Sequence, residues 1–249
     1  MSDELDRERQ RVAATPGGRE TPSPMGIDPA RRGPEHGIRE GTGADQPPPR
    51  DTRPDRATRF IETALGTLSY SELAPILAER VLRVETRIYG RDFENRDLSE
   101  RLLSDLHELI CADIVPDWAG KWRAIEVRVG NLEPPLPHNI AVLMRDYGAD
   151  LSARWPDASA GLGHLTLEFL AFAEGRFLTV HPFTDFNGRT IRLFLLEILR
   201  RLDLPRVVLA PDNESERQSY FQALEAADRA DWQPLTAIWE NRLINANPR

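Results

Sequence analysis

Along most of this chain the apolar residues fall three and four positions apart, the repeat that gives an α-helix one apolar face. Ser71-Glu72-Leu73 opens the first such run, which reaches about Tyr89 with Leu73, Ile76, Leu77, Val81, Leu82 and Val84 on the apolar side. Leu98 to Ile114 repeats the pattern, with Ser99 as its cap, Leu102, Leu103, Leu106, Leu109 and Ile110 inward, and Pro116 ending it. Further helices are predicted over Pro137 to Trp155, Gly163 to Thr179, Arg189 to Leu202, Ser215 to Asp228 and Pro234 to Ile244. Pro234 suits a first helical turn, where its missing N–H has no partner to lose. Between the second and third helices the period changes. Ala124 to Val129 alternates and carries β-branched residues, which predicts a short strand, one arm of a hairpin turning at Gly130-Asn131. Leu132 to Pro137 is extended, because proline permits little else. No internal repeat of solenoid length appears. The fold class that results is mainly α, a helical bundle with a small β-hairpin.

Residues 1–56 read differently. They hold nine of the twenty prolines, seven of the sixteen glycines and no aromatic residue, so they cannot bury enough apolar surface to offset chain entropy. The expectation is a disordered leader over 1–56 and one folded domain over 57–249. A net charge of −8 argues against nucleic acid as a partner. No apolar run approaches the roughly 18 residues of a membrane span, and no signal-peptide core precedes the domain. The single cysteine, Cys111, lies in an apolar helical pattern and reads as a buried, inert thiol. A soluble, cytoplasmic protein without nucleic-acid or membrane partners is expected.

The candidate chemistry is concentrated in twelve residues, His181-Pro-Phe-Thr-Asp-Phe-Asn-Gly-Arg-Thr-Ile-Arg192, between one apolar helix and the next. A loop feeding a helix N-terminus presents backbone N–H groups and the positive end of the helix dipole, which favour anions. Arg189 and Arg192, three apart, would add fixed charge on one helical face; the competing reading is a solvated basic face shared with Arg200 and Arg201. His181 can accept a hydroxyl proton near neutral pH, or it is a hydrogen-bonded core histidine. Asp185 suits Mg²⁺, which takes one or two carboxylates plus substrate phosphates; alternatively it caps the helix that follows. Asn187 and Gly188 would line the anion cradle, Gly188 permitting close backbone approach. Phe183 and Ile191 read as anchors onto the core. A base, a metal carboxylate and an anion cradle point to transfer of a phosphate-linked group to a hydroxyl. No P-loop lysine motif occurs.

The stretch resembles the motif of the Fic (filamentation induced by cyclic AMP) family, H-P-F-x-[D/E]-G-N-G-R-x-x-R, matching at His181, Pro182, Phe183, Asp185, Asn187, Gly188, Arg189 and Arg192. Upstream, Trp118-Ala119-Gly120-Lys121-Trp122-Arg123 resembles the family's W-A-G-x-[WFY]-R segment, which leads into a β-hairpin flap. The arrangement is most similar to small bacterial toxin-type members. The resemblance implies a Fic-like helical bundle that moves AMP from ATP to a Ser, Thr or Tyr hydroxyl of a target protein. His181 would be the base, and Asp185 would hold Mg²⁺ on the phosphates. Asn187, Gly188 and Arg189 would cradle the phosphates, Arg192 would reach the terminal one, and the flap Ile125 to Leu132 would pair with the target. One position departs: Phe186 stands where the family has its first glycine. Either its ring points away and its N–H still serves the cradle, or the nucleotide sits differently, leaving UMP, phosphate or phosphocholine open as the transferred group. A degenerate fold acting as a binding or regulatory module is the rival from another class.

Thr236-Ala-Ile-Trp-Glu240-Asn241 resembles the family's inhibitory motif, whose glutamate pairs with the second motif arginine. Glu240 is therefore a candidate brake on Arg192, with Trp239 equally a packing residue, and control by a separate antitoxin or regulatory partner, or no control at all, the alternatives. Of the other histidines, His107 and His164 are expected at the interior or its boundary and His138 at a helix start. No grouping of His, Cys and carboxylates has zinc spacing.

Overall fold

The computed structural model describes residues 60–129, 132–211 and 213–246; the expected leader 1–56 and the Gly130-Asn131 turn lie outside them. Among the described residues the chain forms seven α-helices and one two-stranded antiparallel sheet, the mainly α architecture that the periodicity predicts. Strands β1 (Phe60–Thr63) and β2 (Gly66–Ser69) pair with Phe60 opposite Ser69 and Thr63 opposite Gly66. Gly66 takes φ of 103°, which the tight reversal requires and other residues adopt with strain. The Ala64 N–H donates to the Ile114 carbonyl at 2.8 Å, pinning the hairpin to the chain beyond the second helix.

This hairpin precedes the first expected element, the helix opening at Ser71, and is absent from the expected elements; four residues a strand give too little alternation to stand out. The strand expected over Ala124 to Val129 also needs correcting. That segment forms no ladder, only an isolated bridge between Val129 and Leu132. The Ile125 carbonyl within it and the Pro135 carbonyl beyond it are taken by the Arg123 guanidinium, and Pro134, Pro135 and Pro137 supply no N–H. The small sheet of the bundle is thus at its N-terminal edge, and the flap segment is an extended excursion.

Helix α1 (Tyr70–Tyr89) begins with a reciprocal cap: the Ser69 hydroxyl accepts from the Glu72 N–H, and the Glu72 carboxylate accepts from the Ser69 N–H at 2.8 Å. There follow α2 (Glu100–Cys111), a 3-10 turn (Pro137–Asn139), α3 (Ile140–Ala158), α4 (His164–Val180), α5 (Asn187–Arg201), α6 (Glu214–Ala227) and α7 (Gln233–Ile244). Helix α4 is buried on almost every side, packing on α3, α5, α6 and α7, and α5 packs on α1, α2 and α4. Gly175 permits the closest of these approaches, since a Cβ there would lie 2.9 Å from both the Ala227 Cβ and the Trp232 ring. Because α4 and α5 are consecutive and both central, residues 181–186 joining them are held from all sides.

Some inward readings fail at the margins. Leu82 and Leu109 are exposed, each at the edge of a narrower apolar stripe than the spacing implies. His164 is exposed as well, being the first residue of α4, ahead of the part that packs. Cys111 is fully buried, and burial pushes its thiol well above the ordinary range, so it is inert as expected.

Candidate active site

Helix α4 ends at His181, which adopts a left-handed conformation with φ of 48°. A non-glycine residue there stores strain of about 1–2 kcal/mol, so its surroundings must hold it. Three contacts do. The His181 N–H donates to the Phe177 carbonyl at 2.9 Å, closing the helix. The Arg123 Nε donates to the His181 carbonyl at 2.8 Å, and the Arg123 backbone N–H donates to the Pro182 carbonyl at 2.8 Å. The imidazole itself is buried to within 8 % of complete cover.

The loop then folds on its own polar groups. Asn187 accepts from the Phe183 N–H and donates to the Phe183 carbonyl, both at 2.9 Å, so its side chain closes the turn and leaves only its backbone N–H toward an anion. Phe183 is fully buried, stacked face to face on His107 with ring centres 3.8 Å apart, as an anchor should be. His107 is a strut. Its Nδ1 accepts from the Gly120 N–H at 2.9 Å, which leaves Nε2 to donate to the Asp185 carbonyl at 3.1 Å. Burial, opposed by that bond and by the Asp185 charge, holds the His107 pKa down to about 4, so the ring is neutral at cellular pH.

Asp185 is buried, one carboxylate oxygen accepting from the Phe186 N–H at 2.7 Å. Phe186 is the second strained residue, with φ of 59° at the cap of α5. Its ring points inward, 5.5 Å from the Trp118 ring centre and 2 % exposed. Its N–H is thus engaged by Asp185 while its carbonyl accepts from the Arg189 and Thr190 N–H groups. Arg189 lies half-buried with its guanidinium 5.7 Å from the Phe186 ring centre.

His181, Gly188 and Arg192 line one concavity, with Val129 of the flap segment at its rim and Glu174 and Tyr220 on its far wall. Phe186 does not line it. Asp185, Asn187 and Arg189 lie on the adjoining turn. The far wall is a buried network: the Tyr220 hydroxyl donates to Glu174 at 2.7 Å, and Arg242 of α7 donates to the other Glu174 oxygen at 2.8 Å. Burial, with Glu174 beside it, raises the Tyr220 hydroxyl far above its ordinary range, so it acts as a neutral donor. Glu240 is exposed on α7, and the carboxylate that lines the concavity together with Arg192 is Glu174. Arg200 and Arg201 brace the buried Glu197 at 2.8 and 2.7 Å rather than extending a basic face. His138 is exposed on the 3-10 turn.

The sequence places His107 only at the interior and Arg123 only in a motif, without their roles at the site, and gives no reading of Glu174 or Tyr220. A signal exists for His107: it shares the inward face of α2 with Leu103, Leu106 and Ile110, and a polar ring there demands a partner. No group of three or more metal-ligating side chains occurs among the described residues. A single buried carboxylate, Asp185, on the turn that adjoins the concavity suits Mg²⁺ that takes its remaining oxygens from phosphates and water.

Residues 97–199 match the family model described as the Fic/DOC family. Protein adenylyltransferase Fic of Drosophila persimilis is 29 % identical over 131 residues, 53 % of this chain and 24 % of that protein. The Drosophila melanogaster protein of the same name is 28 % identical over 139 residues, 56 % of this chain and 27 % of its own length. This chain thus spans about a quarter of the curated relatives it matches. Among solved structures, the BepC effector of Bartonella tribocorum with bound AMPPNP superposes with a TM-score of 0.58 at 18 % identity, covering 78 % of this chain and 95 % of that one. Fic-1 of C. elegans (residues 134–508) gives 0.50 at 25 % identity, covering 67 % and 47 %.

Proposed function

From the premise that residues 97–199 of this chain are a Fic/DOC-family domain, we propose that the protein is an adenylyltransferase that moves AMP from ATP to a Ser, Thr or Tyr hydroxyl of a target protein. The observation that carries this reading is that His181, Gly188 and Arg192 line one concavity at the N-terminus of α5. The His181 imidazole takes the proton of the target hydroxyl. The hydroxyl oxygen forms a bond to the α-phosphorus, the bond from that phosphorus to the β-phosphate bridging oxygen breaks, and pyrophosphate leaves. The first N–H groups of α5 and the dipole of that helix face the charge that develops, and Arg192 binds the outer phosphates. Asp185 would hold Mg²⁺, which when bound supplies charge neutralisation on the phosphates. His107 and the Phe186 N–H fix the Asp185 backbone and carboxylate for that role.

Phe186 does not redirect the site, since its ring is buried away from the concavity. Control by a separate antitoxin-like partner accords with the exposed position of Glu240. No described helix is long and apolar enough to cross a membrane, and a reaction that consumes ATP fits the cytoplasm.

The test is transfer of label from a panel of donors, namely ATP, UTP and CDP-choline, onto lysate proteins in the presence of Mg²⁺. ATP labelled at the α-phosphate is expected to label protein and ATP labelled at the γ-phosphate is not. Transfer from UTP or CDP-choline alone, or of the γ-phosphate, contradicts the proposal.

A further inference from the structure

We propose that Arg123 is a positioning residue that ties the flap segment to the catalytic base, so that the two move together; the inference rests on the transferase reading of His181. Arg123 is 3 % exposed. Every donor it spends goes to a backbone carbonyl, and the carbonyls fall into two sets. Nε reaches His181 at 2.8 Å, and one Nη lies 3.5 Å from Val180. The other set brackets the flap segment: Ile125, its first residue, at 2.9 Å, and Pro135, beyond its end at Leu132, at 2.6 Å. Its own backbone N–H adds the Pro182 carbonyl.

A buried cation with carbonyls for partners needs a source of negative potential. Here the Glu126 carboxylate supplies part of it, and the orphan carbonyls and dipole at the C-terminus of α4 supply more. The planar guanidinium carries Nε and both Nη in one rigid fork, so its two sets of contacts keep a fixed relation. A lysine point charge at the same place could serve one set but not both. The consequence is mechanical. Anything that draws Ile125 and Pro135 apart, or seats them, acts through one rigid group on the carbonyl of a residue already strained at φ of 48°. Val129, four residues beyond Ile125, lines the concavity that holds the imidazole, so the moving part and the reacting part share one wall.

The experiment compares the full-length chain with its Arg123→Lys and Arg123→Gln variants. Three readouts are taken: ATP affinity in Mg²⁺ buffer, the rate of label transfer from α-labelled ATP, and amide hydrogen exchange. For Arg123→Lys the ATP dissociation constant is expected within threefold of the parent and the transfer rate at least thirtyfold lower. Exchange is expected to rise both between Ile125 and Pro135 and between His181 and Gly188, with Tyr220 to Ala227 in α6 unchanged. Arg123→Gln should show the same split; should it fail to fold, Arg123→Lys alone decides. A transfer rate like the parent's, or faster exchange in only one of the two segments, overturns the inference while leaving the transferase reading intact. Absence of transfer in the parent itself overturns the transferase reading, and the paired exchange then decides whether the coupling stands without it.

Discussion

Two residues in the loop hold left-handed backbone that glycine would adopt freely, and the protein gives these places to His181 and Phe186. At His181 the side chain is the point of the position. At Phe186 the same conformation is compatible with a large residue because the ring turns inward onto Trp118 and His107 rather than toward the concavity. Replacing it separates two effects. Glycine would relieve about 1 kcal/mol of backbone strain. Removing a buried benzyl group would cost about 3–5 kcal/mol. The larger effect wins, and Phe186→Gly is expected to lower unfolding stability by about 2–4 kcal/mol in urea titration, even though it restores the family's residue. A variant as stable as the parent would show that the ring contributes little packing.

The motif residues were legible from their order in the chain, because base, carboxylate, glycine and arginines lie within one turn and its helix. What holds them was not, because the struts come from α2, from residue 123 and from α6, contacts that no local pattern encodes. The helices were legible for a related reason: each long run of inward positions is recorded in its own spacing. The hairpin Phe60 to Ser69 and the flap segment were not, being too short for a period and decided by what they touch. Among the struts, α2 reaches the loop through His107, whose pKa falls from 6.5 to about 4 on folding. The unfolded chain therefore binds this proton more readily than the native one, and stability is present above about pH 6.5 and lost as pH falls toward 4. A loss on the order of 3 kcal/mol is expected from this group, read as a fall in the urea midpoint between pH 6.5 and 4. His107→Gln should flatten that fall; an unchanged slope would mean that other groups set it.

At the scale of the molecule, two central helices fix one loop, and the remaining elements close around it. α7 contributes through Arg242, which neutralises Glu174 at the back of the concavity and donates to the Leu209 carbonyl at 2.9 Å, tying the last helix to the chain before α6. Helix α7 thus backs the site from behind Glu174 through Arg242, with Trp239 buried and Glu240 exposed. The domain matched by the family model ends at residue 199, yet the concavity is completed by Tyr220 and backed by Arg242, so the working unit extends beyond it. The measurement that bears most directly on the account follows ATP affinity and label transfer together in the parent, His181→Ala and Arg192→Ala. His181→Ala is expected to bind ATP within about threefold of the parent while transfer falls at least a hundredfold, and Arg192→Ala to weaken binding at least tenfold. Transfer by His181→Ala at the parent's rate would contradict the assignment of the base, and with it the account of the site.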